Sequence, residues 1–79
     1  MATKWYRADF APKDGNIAVD LESDYFECES DTRAIEVARE TADNGFDFAD
    51  IGHVEAELTQ VFIVDDTQET FPEVKQIYR

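Results

Sequence analysis

The chain has 79 residues, and its 19 Asp and Glu residues outnumber its 7 Lys and Arg residues, so the formal net charge is −12. A hydrophobic fraction of 43% excludes a purely disordered acidic tail, and the length limits the chain to a single domain, residues 1–79. The charge argues against direct contact with nucleic acid or an anionic membrane surface, because both would repel the protein.

The first predicted element is a strand over residues 3–11, ended by Pro12, which cannot donate to a strand ladder. Its side chains alternate between an apolar set and an opposite set: Tyr6, Ala8 and Phe10 against Trp5, Arg7 and Asp9. Asp-Gly within residues 13–16 predicts a hairpin turn. A second strand is predicted over residues 17–29, with a bulge or turn near Ser23-Asp24 because the apolar positions change phase there.

A helix is predicted over residues 31–43, with Ser30 as its N-cap and Asn44-Gly45 as its stop. At 100° per residue its small and apolar residues gather on one side: Ala34, Ile35, Val37, Ala38 and Ala42. Acidic residues gather on the opposite side: Glu36, Glu40 and Asp43. The alanines indicate a close approach of the helix to a sheet.

The rest of the chain is predicted as a loop followed by two strands. Three apolar residues of the loop should fold onto the edge of the core: Phe46, Phe48 and Ile51. Residues 53–64 alternate as a strand, although a helix over residues 48–58 fits part of the same pattern. Residues 65–70 form a turn, and residues 71–78 form a last strand, which Pro72 assigns to a sheet edge.

The predicted fold class is α+β, a four-stranded antiparallel sheet with one helix packed on one face in the order β-β-α-β-β. The predicted core consists of Phe10, Leu21, Phe26, Ile35, Ala38, Leu58, Phe62 and Val74. Four acids are expected on the open sheet face or its loops: Glu22, Glu27, Glu55 and Glu57.

Motifs for catalysis or cofactor binding are not found. His53 is the only histidine, and nothing places a nucleophile and an orienting acid beside it. The single cysteine, Cys28, excludes an intrachain disulfide and is interpreted as a small buried hydrophobic residue. The acids do not fit the spacing of an EF-hand loop, which leaves only a weak cation site open. We therefore expect no enzyme activity, no catalytic residues, no cofactor and no dedicated metal site.

The location is predicted to be cytoplasmic. The longest apolar run, residues 61–64, is far shorter than the roughly 20 residues that span a bilayer. The first residues lack the apolar region of a secretory signal.

The charge is unevenly distributed along the sequence. Residues 1–13 and 74–79 each carry a net charge of +2, whereas residues 14–73 carry −16. Self-repulsion of this size opposes compaction. Solubility is one explanation, and binding to a basic partner is the other.

The candidate partner-binding residues are ten acids in rows and two aromatic residues. They are Asp20, Glu22, Asp24, Glu27, Glu29, Glu36, Glu40, Asp43, Glu55, Glu57, Trp5 and Tyr25. Acids two apart on a strand project to one face about 6.6 Å apart. Such rows are suited to occupying a basic groove that binds nucleic acid, and the two aromatic residues would serve as contact anchors or would simply cover the sheet.

The chain resembles the small phage-encoded anti-CRISPR proteins that inhibit type I systems, type I-C among them. The resemblance lies in the size, the acidity and three segments: Lys4-Trp5-Tyr6-Arg7-Ala8-Asp9-Phe10, Phe26-Glu27-Cys28-Glu29-Ser30-Asp31 and Ala34-Ile35-Glu36-Val37-Ala38. It implies that the protein binds the surveillance complex (Cascade) in the bacterial host cell and blocks its access to target DNA. The sequence does not determine the oligomeric state, and a monomer is favoured. The alternative is a small acidic interaction or regulatory module of phage or bacterial origin whose acidity serves solubility.

Overall fold

The computed structural model describes residues 2–13, 21–48 and 52–79. Within these ranges the elements are β1 (Lys4–Pro12), β2 (Glu22–Cys28), α1 (Asp31–Asn44), β3 (Phe46–Phe48), β4 (Gly52–Val54), β5 (Ala56–Val64) and β6 (Glu73–Tyr78). Four strands form an antiparallel sheet in the order β2-β1-β5-β6, and β3 pairs with β4 in a small separate sheet. The predicted α+β class, with one helix and a four-stranded antiparallel sheet, is confirmed, and the second sheet was not predicted. The predicted turn at residues 13–16 lies almost wholly outside the described residues.

Helix α1 begins and ends close to the predicted residues. The Ser30 hydroxyl accepts a hydrogen bond from the Arg33 N–H at 3.1 Å, which satisfies one of the free donors of the first turn. Gly45 ends the helix at a positive φ of 93°, a conformation that favours glycine. The small side chains of Ala34, Ala38 and Ala42 are buried, so the helix backbone approaches the sheet closely, mainly at β5.

The inward side of β1 is the centre of the core. Tyr6, Ala8 and Phe10 are buried as predicted, and they pack in one cluster with the alanines of α1. The Tyr6 hydroxyl donates a 2.8 Å hydrogen bond to the Asp31 carboxylate at the start of α1. Burial, together with this carboxylate, raises the pKa of Tyr6 above its ordinary value, so the hydroxyl keeps its proton and remains a donor.

A bulge in β5 divides its apolar residues between the two faces of the sheet. Asp9 pairs with Gln60 and Phe10 with Leu58, so Thr59 is the extra residue. Leu58 therefore faces the helix, whereas Phe62 is buried on the other face, opposite Arg7. The prediction that Leu58 and Phe62 share one face is wrong, because a one-residue shift reverses the alternation.

Strand β2 pairs with β1 without interruption. The register runs from Lys4 opposite Cys28 to Phe10 opposite Glu22, so the bulge predicted near Ser23-Asp24 is not formed. Leu21 precedes the first pair and is 52% exposed, which contradicts its prediction as a core residue.

Two further corrections concern the segment after the helix. Phe46–Phe48 is a strand rather than the predicted loop. The predicted contact of this segment with the core is nevertheless formed, because Phe48 is buried and the ring of Phe46 stacks on that of Phe10, with 4.9 Å between the centroids. The predicted strand at residues 53–64 is divided at Glu55 into β4 and β5. The alternative helix does not form in the described part of residues 48–58, and Ile51 lies outside the described residues.

Strand β6 lies at the sheet edge, as Pro72 predicted. Its pairing with β5 shifts between Ile63/Lys75 and Val64/Glu73, so Val74 is left over as an extra residue. Val74 is accordingly 64% exposed, which contradicts its prediction as a core residue.

No helix in the described residues is long and apolar enough to cross a membrane.

Candidate functional site

The exposed side of α1 carries three acids, Glu36, Glu40 and Asp43, which we call the acidic stripe. Their spacing of four and three residues places them on one helix face. At 1.5 Å per residue, the stripe extends for roughly 10 Å. All three side chains are exposed, so the predicted face is formed and is accessible to a partner.

The acidic stripe is poorly neutralised within the described residues. Arg33 lies 3.6 Å from Glu36, and among residues 2–13, 21–48 and 52–79 no cationic side chain lies within ion-pair distance of Glu40 or Asp43. Arg39, one turn before Asp43, lies instead over the ring of Tyr78, at 5.2 Å from its centroid. The last turn of the helix has no basic residue, so Asp43 stands at the negative end of the helix dipole without a cation in its own turn.

A shallow groove of about 250 Å³ lies beside the C-terminal end of the acidic stripe. Asp43 and Glu57 line it together with Lys13 and Arg39. Glu57 of β5 therefore borders the same groove as an acid of the stripe, although its register partner, Ala11, places it on the sheet face away from α1, as predicted.

The acids of β2 divide between the two sides of the sheet. Glu22 and Asp24 pair with Phe10 and Ala8, so they lie on the helix side, and this corrects the placement of Glu22 on the open face or a loop. Glu27, opposite Trp5, lies on the other side, as predicted. The remaining predicted acids of this region are placed as follows: Glu29 is exposed just after β2, and Asp20 lies outside the described residues.

Glu55 lies in the short connection between β4 and β5 and does not form a strand row with Glu57. Its carboxylate is 3.8 Å from Lys13 Nζ, and its carbonyl accepts the Lys13 N–H at 3.0 Å. This ion pair is well exposed and contributes little to stability.

The sheet face away from α1 carries an aromatic groove, which we define by Trp5, Tyr25, Glu69, Thr70 and Phe71. The Phe71 ring meets Trp5 edge-on at 5.8 Å and Tyr25 edge-on at 5.2 Å. The structure therefore brings the two predicted aromatic residues together, on the opposite side of the sheet from the acidic stripe. Phe71 was not predicted, because its position there depends on the path of the 65–72 segment.

Asp9 is the centre of a buried polar network that the sequence did not indicate. Its carboxylate accepts hydrogen bonds from Arg7 Nε at 3.0 Å, Ser23 Oγ at 2.7 Å and Gln60 Nε2 at 2.6 Å. Arg7 also pairs with Glu73 at 3.0 Å and lies over the Phe62 ring at 4.6 Å. Burial alone would lower the pKa of Arg7, but its two carboxylate partners outweigh burial and raise it, so the guanidinium stays charged.

His53 lies between two hydrogen-bond acceptors on the surface. Its Nδ1 is 2.8 Å from the Asp47 carboxylate, and its Nε2 is 3.1 Å from the Asn44 carbonyl. Gly45 allows this approach, because a Cβ at that position would come within 2.6 Å of His53 Nε2. An imidazolium donates from both nitrogens, so the Asp47 hydrogen bond first, and then the Asn44 carbonyl, raise the pKa of His53.

We expect the pKa of His53 to lie above its ordinary value of 6.5 and to fall back towards it in Asp47→Asn. The folded state holds the His53 proton more tightly than the unfolded state, so protonation of His53 stabilises the fold. This stabilisation is complete below the unfolded-state pKa near 6.5 and is lost as the pH rises through the pKa of the folded state. An NMR titration of the His53 ring measures both values. Equal pKa values in the two proteins would contradict the assignment.

The described residues hold no group of three His, Cys, Asp or Glu side chains that could bind a metal ion. Cys28 is buried, as predicted. Its sulfur lies 3.8 Å from a Glu29 carboxylate oxygen.

Comparison with protein-family models, curated proteins and solved structures finds no match for this chain.

Proposed function

We propose that the protein is a non-enzymatic inhibitor whose acidic stripe occupies a basic nucleic-acid-binding surface of a protein complex. The supporting observation is the placement of the stripe, since its acids repel one another and Asp43 opposes the helix dipole. Each like-charged pair costs about 0.2–0.5 kcal/mol, and a charge at the wrong helix end costs about 0.3–1 kcal/mol. Helix stability therefore does not account for these residues, whereas binding to a cationic surface does.

The proposed mechanism is steric and electrostatic. Lys and Arg side chains that neutralise DNA phosphates supply much of the affinity of nucleic-acid-binding proteins. Exposed carboxylates held on a rigid helix would meet the same cations, and their association would be fast and sensitive to salt. The protein would then exclude DNA without any turnover.

The proposed target is the type I CRISPR-Cas surveillance complex, Cascade, which the resemblance to anti-CRISPR proteins implies. The inhibitor would act in the cytoplasm of the bacterial host by blocking the binding of target DNA. A solubility role for the acids, as in a general interaction module, predicts instead that binding changes little between low and moderate salt.

The test is a pair of charge reversals that change the net charge by the same amount. Glu40→Lys alters the acidic stripe, and Asp66→Lys alters an exposed acid in the turn after β5. We expect Glu40→Lys to weaken inhibition of target-DNA binding at least tenfold, or about 1.4 kcal/mol, and Asp66→Lys to change it less than about twofold. The helix should survive, because the new lysine stands four residues after Glu36, a favourable spacing.

Fluorescence anisotropy of labelled target DNA with purified Cascade measures the inhibition at two salt concentrations. Equal losses in the two variants would overturn the role of the acidic stripe. Unchanged DNA binding with excess wild-type protein at low salt would overturn Cascade as the target.

A further inference from the structure

The aromatic groove joins side chains from three separate parts of the chain. Trp5 of β1 and Tyr25 of β2 lie on the same sheet face, in diagonal register positions. Phe71 stands edge-on to both, with interplanar angles of 72° and 89°. The groove has a volume of about 440 Å³, which is within the usual range for a site that takes a small group.

The segment that carries Phe71 is held in place by its own hydrogen bonds. The Asp65 carboxylate accepts from the Thr67 N–H at 2.9 Å and from the Gln68 side chain at 3.1 Å. The Phe71 N–H donates to the Gln68 carbonyl at 3.1 Å, and the Asp65 N–H donates to the Pro72 carbonyl at 2.9 Å. The ring of Phe71 is therefore positioned before any ligand arrives, which reduces the entropy cost of binding.

The backbone of Phe71 adopts a positive φ of 48°, which is unusual for a residue with a bulky side chain. Strained backbone of this kind is frequent at binding and catalytic sites, where the surrounding structure holds it. The strain here orients the ring that meets Trp5 and Tyr25.

The electrostatic character of the aromatic groove is suited to a cation. Glu69 lines the groove, and Glu27 stands opposite Trp5 in the register. Arg7, which lies opposite Tyr25 in the register, is engaged by Asp9 and Glu73 and does not line the groove. Aromatic ring faces attract cations, and a guanidinium adds planar stacking and paired donors for a carboxylate.

We infer that the aromatic groove binds an arginine side chain of a basic partner protein, with its guanidinium against the aromatic rings and paired with Glu69. The exposed Tyr25 and the half-buried Trp5 are of the residue types that dominate binding energy in interfaces. The groove lies on the sheet face away from α1, so this inference does not rest on the acidic stripe or on Cascade as the target.

The test uses small ligands, so that it does not depend on a partner. N-acetyl-arginine methylamide is titrated into the protein, with the neutral citrulline analogue and the lysine analogue as comparisons. Trp5 is the only tryptophan, so its indole N–H signal in NMR reports on the groove directly. We expect the arginine ligand to shift this signal saturably, and to bind several times more tightly than either comparison ligand.

Two variants and one control locate the ligand. Tyr25→Leu and Glu69→Gln should each weaken the binding roughly fivefold or more, whereas Asp66→Asn removes one charge from an exposed residue that does not line the groove and should leave it unchanged. Folding of each variant is checked by the dispersion of the amide spectrum. An equal response to the citrulline or lysine analogue, or no saturable shift of the Trp5 signal, would overturn the inference.

Discussion

We expect Asp9→Ala to lower the free energy of unfolding by about 3–5 kcal/mol, the usual cost of breaking a buried ion pair from one side. The Asp9 carboxylate is buried and accepts hydrogen bonds from Arg7, Ser23 and Gln60. Alanine would leave Arg7 Nε and the Gln60 amide without their carboxylate acceptor on a partly buried face of the sheet, whereas Ser23 is exposed and can bond to water. The midpoint of urea denaturation, with its slope, measures the loss.

The size of this effect is large compared with the stability of a small domain. A stability of roughly 0.05–0.15 kcal/mol per residue amounts to about 4–12 kcal/mol for a chain of this length. Asp9→Ala should therefore leave a measurable unfolded fraction at 25 °C if the wild-type stability lies near the lower end of that range.

The matched control removes the other carboxylate from the same guanidinium. Glu73 pairs with Arg7 at 3.0 Å, but its side chain is half exposed, so water can replace it. Glu73→Ala should cost no more than about 1 kcal/mol. Similar losses in the free energy of unfolding of the two variants would show that the burial of Asp9 does not determine how much the network stabilises the fold.

The inward side of β1 and the cap of α1 could be predicted because each depends on local rules. The alternation of Tyr6, Ala8 and Phe10 has the period of two that a half-buried strand requires. Ser30 needs only the backbone N–H of a residue three positions later. The acidic stripe is predictable for the same reason, since helix geometry alone places its residues on one face.

The faces of β5 could not be predicted, because the bulge at Thr59 depends on the partner strand. The Thr59 hydroxyl donates to the backbone carbonyl of Asp9 at 3.0 Å, a contact between residues fifty positions apart. A reader of the sequence cannot see this contact, so the alternation of apolar residues is continued past Thr59 and assigns Phe62 to the wrong face of the sheet. The exposure of Val74 has a similar origin in the shifted pairing with β5.

The aromatic groove and the Asp9 network were missed for a related reason. Each is assembled across strands by the register, and neither leaves a motif in the sequence. Trp5 and Tyr25 could be selected as exposed aromatic residues, but their meeting through Phe71 follows from the path of a turn. An alternating pattern identifies Asp9 only as a residue on the face away from the core, and its burial depends on Ser23 and Gln60 of the neighbouring strands.

We expect Phe10→Ala to destabilise the protein by about 3–5 kcal/mol, as large-to-small changes at buried aromatic residues do. Phe10 is 1% exposed and belongs to the core cluster between the sheet and α1. Its ring also stacks on Phe46 at 4.9 Å, and Phe46 meets Phe48 at 5.4 Å, so Phe10 connects the main sheet to the small β3-β4 sheet. The substitution should therefore leave a cavity and loosen the small sheet as well. Hydrogen exchange of the β3 and β4 amides, together with urea denaturation, measures both effects.

Phe46→Ala separates the two contributions, because Phe46 is only half-buried and takes part in the stacking without lying in the centre of the core. It should release the amides of β3 and β4 to exchange while costing clearly less global stability than Phe10→Ala, since less apolar area is removed from the interior. If Phe46→Ala costs as much as Phe10→Ala, the small sheet belongs to the cooperative core. Unchanged exchange in β3 and β4 of both variants would contradict the role of the aromatic stack in attaching it.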